Sequence, residues 1–271
     1  MLGERCFLFS GGRWHGNPAE PLHNDKPERC GVGPGLAAAL TVARAFPNTR
    51  VGIVATAFGG SEIDRWLPPH GDLLATATTI LDAALATLNG DAPDIAFLWH
   101  QGESDCLNVD HRPEQYADKL RAVLEHLVVM ARARTQRRWN TFAIIAGQLG
   151  DFLTLPGANS VRRDIQTVVA SVNERNGADD RCFYLVGSEN LQHRGDNLHF
   201  DTRSCIELGK RYGRTLVSHL AHFSCEDLDV ERLLDFSIDD TAAKRFQSRD
   251  DRVMGGSSQS VLLYERPLKG G

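Results

Sequence analysis

An aspartate and a histidine three residues apart, Asp196 and His199, are the side chains of this sequence best suited to catalysis. On a tight loop the carboxylate can orient the imidazole, and the imidazole can then remove a proton from an attacking group. Gly195 and Phe200 flank the pair and favour a tight, partly buried loop. The pair predicts a hydrolase site with His199 as general base. The alternative is a helix-entry loop in which Asp196 caps a turn and His199 is polar surface.

A second polar segment, Trp99-His100-Gln101-Gly102-Glu103-Ser104-Asp105, supplies groups that can stabilise charge formed during ester cleavage. The Gln101 amide and the backbone N–H of Gly60 can each donate a hydrogen bond to an oxyanion, which is typically worth about 3 kcal/mol in the transition state. The alternative for Gln101 is a loop amide that ties down neighbouring backbone. Glu103 orients loops or binds a substrate hydroxyl, or else pairs with Arg65.

Strand and helix patterns alternate from about residue 34 to residue 222 and must position these groups. Apolar runs predict strands at residues 50–55, 94–99, 142–146 and 182–186. Helical spacing predicts a helix that begins at Pro34 and one helix after each strand, the last capped by Asp201. This alternation is typical of an α/β fold, a three-layer α/β/α sandwich with a parallel sheet. Sites in such sheets form beyond the carboxyl ends of strands, so we expect the loops near residues 100 and 200 to lie together. Trp66 and Trp99 belong to the core or line a sugar-binding cleft.

The amino-acid composition limits the classes of protein to which this chain can belong. The chain has 271 residues, 42% of them hydrophobic, and a net charge of -5, which indicates an ordinary globular protein with no nucleic-acid partner. No apolar run is long enough to span a bilayer, and the apolar start is too short for a signal peptide. Localisation is therefore open, with the cytoplasm as the default. The six cysteines show no metal-ligand spacing, which favours reduced thiols and leaves one or two disulfides as the alternative.

Four segments, in order, resemble the SGNH-type carbohydrate esterases, namely the sialate O-acetylesterase-like domain and its acetyl-xylan esterase relatives. They lie at residues 20–35, 51–66, 98–105 and 195–201, and the resemblance covers roughly residues 14 to 220. It implies an SGNH/flavodoxin-like sandwich that hydrolyses acetyl esters on sugars without metal or cofactor. In the mechanism that the resemblance implies, a serine attacks the acetyl carbonyl, His199 acts as base, Asp196 fixes the tautomer of His199, and Gly60 and Gln101 hold the oxyanion.

The nucleophile is where this sequence departs from the family pattern. The family places its serine in a Gly-Gln-Ser-Asn-Met-like turn, and this chain begins too late to contain that block. Ser10, in Phe9-Ser10-Gly11-Gly12, is the nearest substitute, although no asparagine follows it. We therefore expect residues 1–222 to form an esterase domain that lacks its first block. The alternative is a catalytically dead carbohydrate-binding or scaffold protein, and the oligomeric state is open.

The segment from residue 223 to residue 271 has a different character, with many charges and no persistent period. Leu234-Asp235-Phe236 and residues 250–258 resemble the opening of the complex I intermediate-associated family, a β-sandwich. That resemblance implies a partial second module and, as a third functional hypothesis, a mitochondrial complex I assembly-related protein. The alternative is an unstructured charged tail, in which Val261-Leu262-Leu263-Tyr264 could form one strand.

Overall fold

The structure is a computed structural model, and it describes residues 2–22, 25, 30–88, 93–107, 113–135, 142–176, 182–222 and 260–265. Its strands are β1 (Cys6–Ser10), β2 (Arg13–Gly16), β3 (Arg50–Ala55), β4 (Asp94–Trp99), β5 (Phe142–Gly147), β6 (Phe183–Val186) and β7 (Ser260–Glu265). Its helices are α1 (Pro34–Ala45), α2 (Asp72–Ala86), α3 (Pro113–Arg134), α4 (Ala158–Asn176) and α5 (Thr202–His222).

The strands form one seven-stranded sheet in the order β2-β1-β3-β7-β4-β5-β6. β1 runs parallel to β3, and β4, β5 and β6 run parallel to one another. β2 and β7 are antiparallel to their neighbours. The predicted α/β class is confirmed, with a mixed sheet in place of a purely parallel one.

Helices cover both faces of the sheet, because consecutive side chains of each buried strand point to opposite sides. Along β4, Ile95, Phe97 and Trp99 pack in the core with α2, α3 and α4, whereas Ala96 and Leu98 pack in the core with α1 and α5. This arrangement is the predicted three-layer α/β/α sandwich.

The two tryptophans named above lie in the core. Trp66 and Trp99 are buried and meet edge to face, with ring centroids 5.5 Å apart. Edge-to-face contact is a preferred geometry for aromatic pairs and stabilises the packing between the sheet and its helices. Their role in this structure is therefore packing.

The C-terminal strand β7 lies in the middle of the sheet, between β3 and β4. Ser260 pairs with both Ala55 and Leu98, so β7 enters the sheet at the edge where the parallel strands end. Its residues 261–264 are buried, as expected for an apolar strand covered on both faces. Residues 260–265 thus belong to the main sheet and not to a separate tail, while residues 223–259, including the segment compared with the complex I family, lie outside the described residues.

Candidate active site

The loop between β6 and α5 is fastened at both ends. His193 and Phe200 form an isolated antiparallel bridge, and Arg194 donates its backbone N–H to the His199 carbonyl at 3.1 Å. Asp201 then caps α5, because its Oδ1 accepts the Ser204 N–H at 2.7 Å, as the sequence predicts. We call residues 193–200 the dyad loop, since it carries Asp196 and His199.

Within the dyad loop, Asp196 binds the ring of His199. The Asp196 Oδ2 lies 2.7 Å from the His199 Nδ1, and its Oδ1 accepts the backbone N–H groups of Leu198 and His199. The carboxylate thus caps the turn, as one interpretation of the sequence expects, and also orients the imidazole, as the other expects. With Nδ1 engaged, Nε2 is the nitrogen through which His199 can accept a proton. The His199 side chain is 19% exposed, which leaves it accessible.

The Asp196 carboxylate is held in its charged form. Burial alone raises its pKa, but hydrogen bonds from the His199 backbone and ring, the Leu198 backbone and the Arg194 side chain outweigh burial and lower the pKa below its usual value. The Arg194 Nε donates to Oδ2 at 2.7 Å. An ionised carboxylate at this place stabilises the imidazolium that forms when His199 takes up a proton.

The loop after β4 lies beside the dyad loop. The rings of His100 and Phe200 meet with centroids 5.6 Å apart. The loops near residues 100 and 200 therefore share one edge of the sheet, as expected.

Glu103 pairs with His100 and not with Arg65. Its Oε1 lies 3.1 Å from the His100 Nε2, whereas the Arg65 Nε donates to the Asp72 Oδ1 at 3.1 Å. Burial raises the Glu103 pKa, but the charge and hydrogen bond of His100, the Glu103 backbone and His199 together lower it. Glu103 is thus a carboxylate paired with His100, in place of the predicted pair with Arg65.

Gln101 ties two loops together. Its Nε2 donates to the Ser61 carbonyl at 2.9 Å and to the Asp105 Oδ2, and its Oε1 accepts the Tyr116 hydroxyl at 3.2 Å. Asp105 also accepts the Ile63 N–H. Both amide hydrogens of Gln101 are engaged in this buried network, so the structure favours the interpretation as a loop amide over direct donation to an oxyanion.

Gly60 lies in the loop that Gln101 holds. Its φ of +72° is a left-handed conformation that glycine adopts without strain. The neighbouring Gly59 donates its N–H to the Asp25 Oδ2 at 2.8 Å, whereas the Gly60 N–H has no hydrogen-bonding partner among the residues that the structure describes. Gly60 is exposed, so this N–H remains a candidate oxyanion donor.

The structure does not bring Ser10 to His199. Ser10 is the exposed last residue of β1, beside the Gly11-Gly12 turn. Its backbone carbonyl oxygen lies 3.1 Å from the His15 Nε2. Two strands, β3 and β7, lie between β1 and β4. At the usual spacing of neighbouring strands, β1 is therefore about 14 Å from β4, the strand whose loop lies beside the dyad loop. Among the described residues, no serine hydroxyl is hydrogen-bonded to His199.

Three residues that the sequence motifs did not single out also lie in the site, namely Arg194, His193 and His100. Arg194 and His193 lie within three residues of Asp196, and His100 precedes Gln101, so their position beside the motifs was the available signal.

In the ranges described, no group of three histidine, cysteine or acidic side chains could hold a metal ion. None of the helices in these ranges has the length and apolar character needed to cross a membrane.

Comparison with known proteins identifies the family to which this chain belongs. Residues 3–218 match the family of carbohydrate esterases described as sialic acid-specific acetylesterases, and the chain belongs to that family. A probable carbohydrate esterase of Arabidopsis thaliana is 26% identical over 214 residues, which are 76% of this chain and 72% of the relative. An X-ray structure of an Arabidopsis thaliana protein, 24% identical, shares the fold with a TM-score of 0.62 over 82% of this chain and 83% of that one.

The family match ends before the C-terminal segment. It stops at residue 218, and no match supports the resemblance of residues 234–258 to the complex I intermediate-associated family. A role in complex I assembly therefore has no support.

Proposed function

We propose that this chain hydrolyses O-acetyl esters on carbohydrates, with His199 as general base. The observation that carries the proposal is the 2.7 Å contact between the His199 Nδ1 and the Asp196 Oδ2 at the carboxyl edge of the sheet. Membership of the carbohydrate esterase family supports the acetyl ester as substrate. Acetylated sugars, including acetylated xylan fragments, are the substrates that the sequence resemblance favours.

In the proposed reaction a hydroxyl oxygen attacks the acetyl carbonyl while the His199 Nε2 takes its proton. The Gly60 N–H donates to the oxyanion of the tetrahedral intermediate. When the intermediate collapses, the bond between the acetyl carbon and the sugar oxygen breaks, and the imidazolium returns the proton to the departing sugar hydroxyl. The acetyl group is then bonded to the attacking oxygen, and water, activated by His199 in the same way, attacks its carbonyl; the new ester bond breaks, acetate leaves, and the imidazolium returns the proton to the original hydroxyl. Asp196 stays ionised throughout and fixes the tautomer of His199.

The attacking hydroxyl belongs to a serine in the mechanism that the resemblance implies. Ser10 is separated from the dyad loop, so the proposal does not depend on Ser10. We expect Ser10→Ala to hydrolyse p-nitrophenyl acetate at the wild-type rate.

The test is acetate release from p-nitrophenyl acetate and from a panel of O-acetylated sugars, measured for the wild type and His199→Ala. We expect turnover by the wild type and a loss of about 10²- to 10⁴-fold in His199→Ala. His15→Ala is a matched control, because His15 lies on the β1–β2 hairpin. Turnover that survives in His199→Ala would falsify the assignment of the base.

A second candidate function is carbohydrate binding without catalysis. The observation that favours it is the lack of a serine contact to His199 within the described residues. Calorimetry with deacetylated and acetylated sugars separates the two functions. Binding of sugar with no acetate released supports the binding protein, whereas acetate release supports the esterase.

A further inference from the structure

His193, at the start of the dyad loop, accepts two backbone hydrogen bonds on one ring nitrogen. The N–H of Gly195 lies 3.0 Å from the His193 Nδ1, and the N–H of Asn197 lies 3.1 Å from the same atom. An imidazole nitrogen accepts a hydrogen bond only when it carries no proton. The geometry therefore requires a neutral His193 with its proton on Nε2.

The backbone of the dyad loop is shaped so that both N–H groups reach that atom. Gly195 has a φ of +111° and Asn197 has a φ of +54°, both in the left-handed region that few residue types adopt readily. Asp196 stands between these two residues. The two hydrogen bonds to His193 therefore hold the backbone on either side of the carboxylate that orients His199.

The His193 ring is itself fixed by packing. It contacts Phe152 with ring centroids 5.2 Å apart, and Phe152 packs edge to face on Phe200 at 5.1 Å. Phe200 in turn contacts His100. The charged or titratable residues on the segments that meet the ring are Arg194, Asp196, His199 and Asp201 on its own segment and Asp151 next to Phe152, with the pair of His100 and Glu103 beyond Phe200.

We propose that His193 is a positioning residue for the Asp196–His199 pair, and that its protonation releases the dyad loop. A proton on Nδ1 turns the acceptor into a donor that faces two other donors, so both hydrogen bonds are lost. Asp196 then loses the backbone support on either side of it, and His199 loses its fixed orientation. The consequence for rate depends on the proposed esterase function, whereas the hydrogen bonding does not.

Nitrogen-15 NMR on the full chain tests the hydrogen bonding without any assay of activity. At neutral pH we expect the His193 Nδ1 to have the shift of an unprotonated ring nitrogen and Nε2 that of a protonated one. On acidification the amide signals of Gly195 and Asn197 move together with the His193 ring signals. In His193→Asn, whose side-chain oxygen can accept in place of Nδ1, the two amide signals lose the part of their movement that follows the His193 ring. A protonated Nδ1 at neutral pH, or amide signals that ignore the ring, would overturn the proposal.

The kinetic test compares His193→Asn with His193→Phe, which keeps an aromatic ring but has no acceptor. We expect His193→Phe to be slower than His193→Asn by about 10²-fold in kcat/KM for p-nitrophenyl acetate, as for a misplaced catalytic group. The acid limb of kcat/KM should involve about two protons in the wild type and in the control His15→Asn, and about one in His193→Asn. Equal rates in the two His193 variants, or an acid limb in His193→Asn as steep as that of the wild type, contradict the proposal. A wild type with no turnover removes the proposed function, and the NMR result alone then decides the role of His193.

Discussion

Asp196 and His199 are joined by two hydrogen bonds, one from the ring Nδ1 at 2.7 Å and one from the backbone N–H of His199 at 2.8 Å. The ring and the main chain of the same histidine are therefore held by one carboxylate, each through a different oxygen. This double attachment restricts rotation of the imidazole and leaves Nε2 for proton transfer.

The lowered pKa of Asp196 predicts a loss of stability in acid. A carboxyl whose pKa is lower in the folded state contributes stability above its unfolded pKa, near 3.9, and loses it as the pH falls through the folded value. Melting temperatures of the wild type and Asp196→Asn should therefore differ most at neutral pH and converge as the pH falls below about 4. The control is Asp118→Asn, an exposed carboxylate on α3. A gap for Asp196→Asn that stays constant down to low pH contradicts this prediction.

Gln101→Ala should lower stability as well as activity. The substitution removes the donor to the Ser61 carbonyl and to the buried Asp105, and leaving buried polar groups unsatisfied costs about 1–3 kcal/mol. Urea unfolding measures the change, and the exposed Gln166→Ala is the matched control. If Gln101 acted only as an oxyanion donor, activity would fall while the free energy of unfolding stayed the same.

The central place of β7 predicts a large effect from Leu262→Ala. The Leu262 side chain is fully buried, and truncation of a buried leucine costs about 2–5 kcal/mol. Leu185→Ala, in β6, is the control, because Leu185 is 37% exposed and should change the free energy of unfolding by about 0.5 kcal/mol or less. Similar small effects for both leucines would show that β7 does not complete the sheet.

The raised pKa of Glu20 predicts a loss of stability as the pH rises above 4.5. Burial raises its pKa from 4.5 to about 8, and the backbone N–H groups of Gly33 and Leu22 offset only part of this. The folded state therefore binds a proton that the unfolded state has released, and stability falls as the pH rises from 4.5 to about 8. Melting temperatures of Glu20→Gln should fall less over this range than those of the wild type and of the exposed control Glu174→Gln. Parallel curves for all three proteins contradict the prediction.

Local patterns in the sequence predicted much of the fold. The apolar runs of β3 to β6 and the helical spacing of α1 to α5 are decided by residues within one element, so periodicity finds them. The cap by Asp201 and the contact between Asp196 and His199 are also local, because each joins residues three apart.

The features that the sequence did not predict depend on contacts between distant segments or on backbone angles. Nothing within residues 260–265 specifies insertion between β3 and β4, because the place of a strand depends on its neighbours in space. The amide of Gln101 meets the carbonyl of Ser61, forty residues away in the chain, so this hydrogen bond was not visible in the motif. The two bonds to His193 depend on positive φ angles at Gly195 and Asn197, which residue types alone do not fix.

The most direct test of the central claim is a double-mutant cycle on kcat/KM for acetate release with His199→Ala, Asp196→Asn and the double variant. Residues that act as one unit give losses that do not multiply. We predict that the double variant is no slower than His199→Ala alone, because Asp196 acts through the ring of His199. Losses that multiply in the double variant, or a wild type that releases no acetate, would contradict the account.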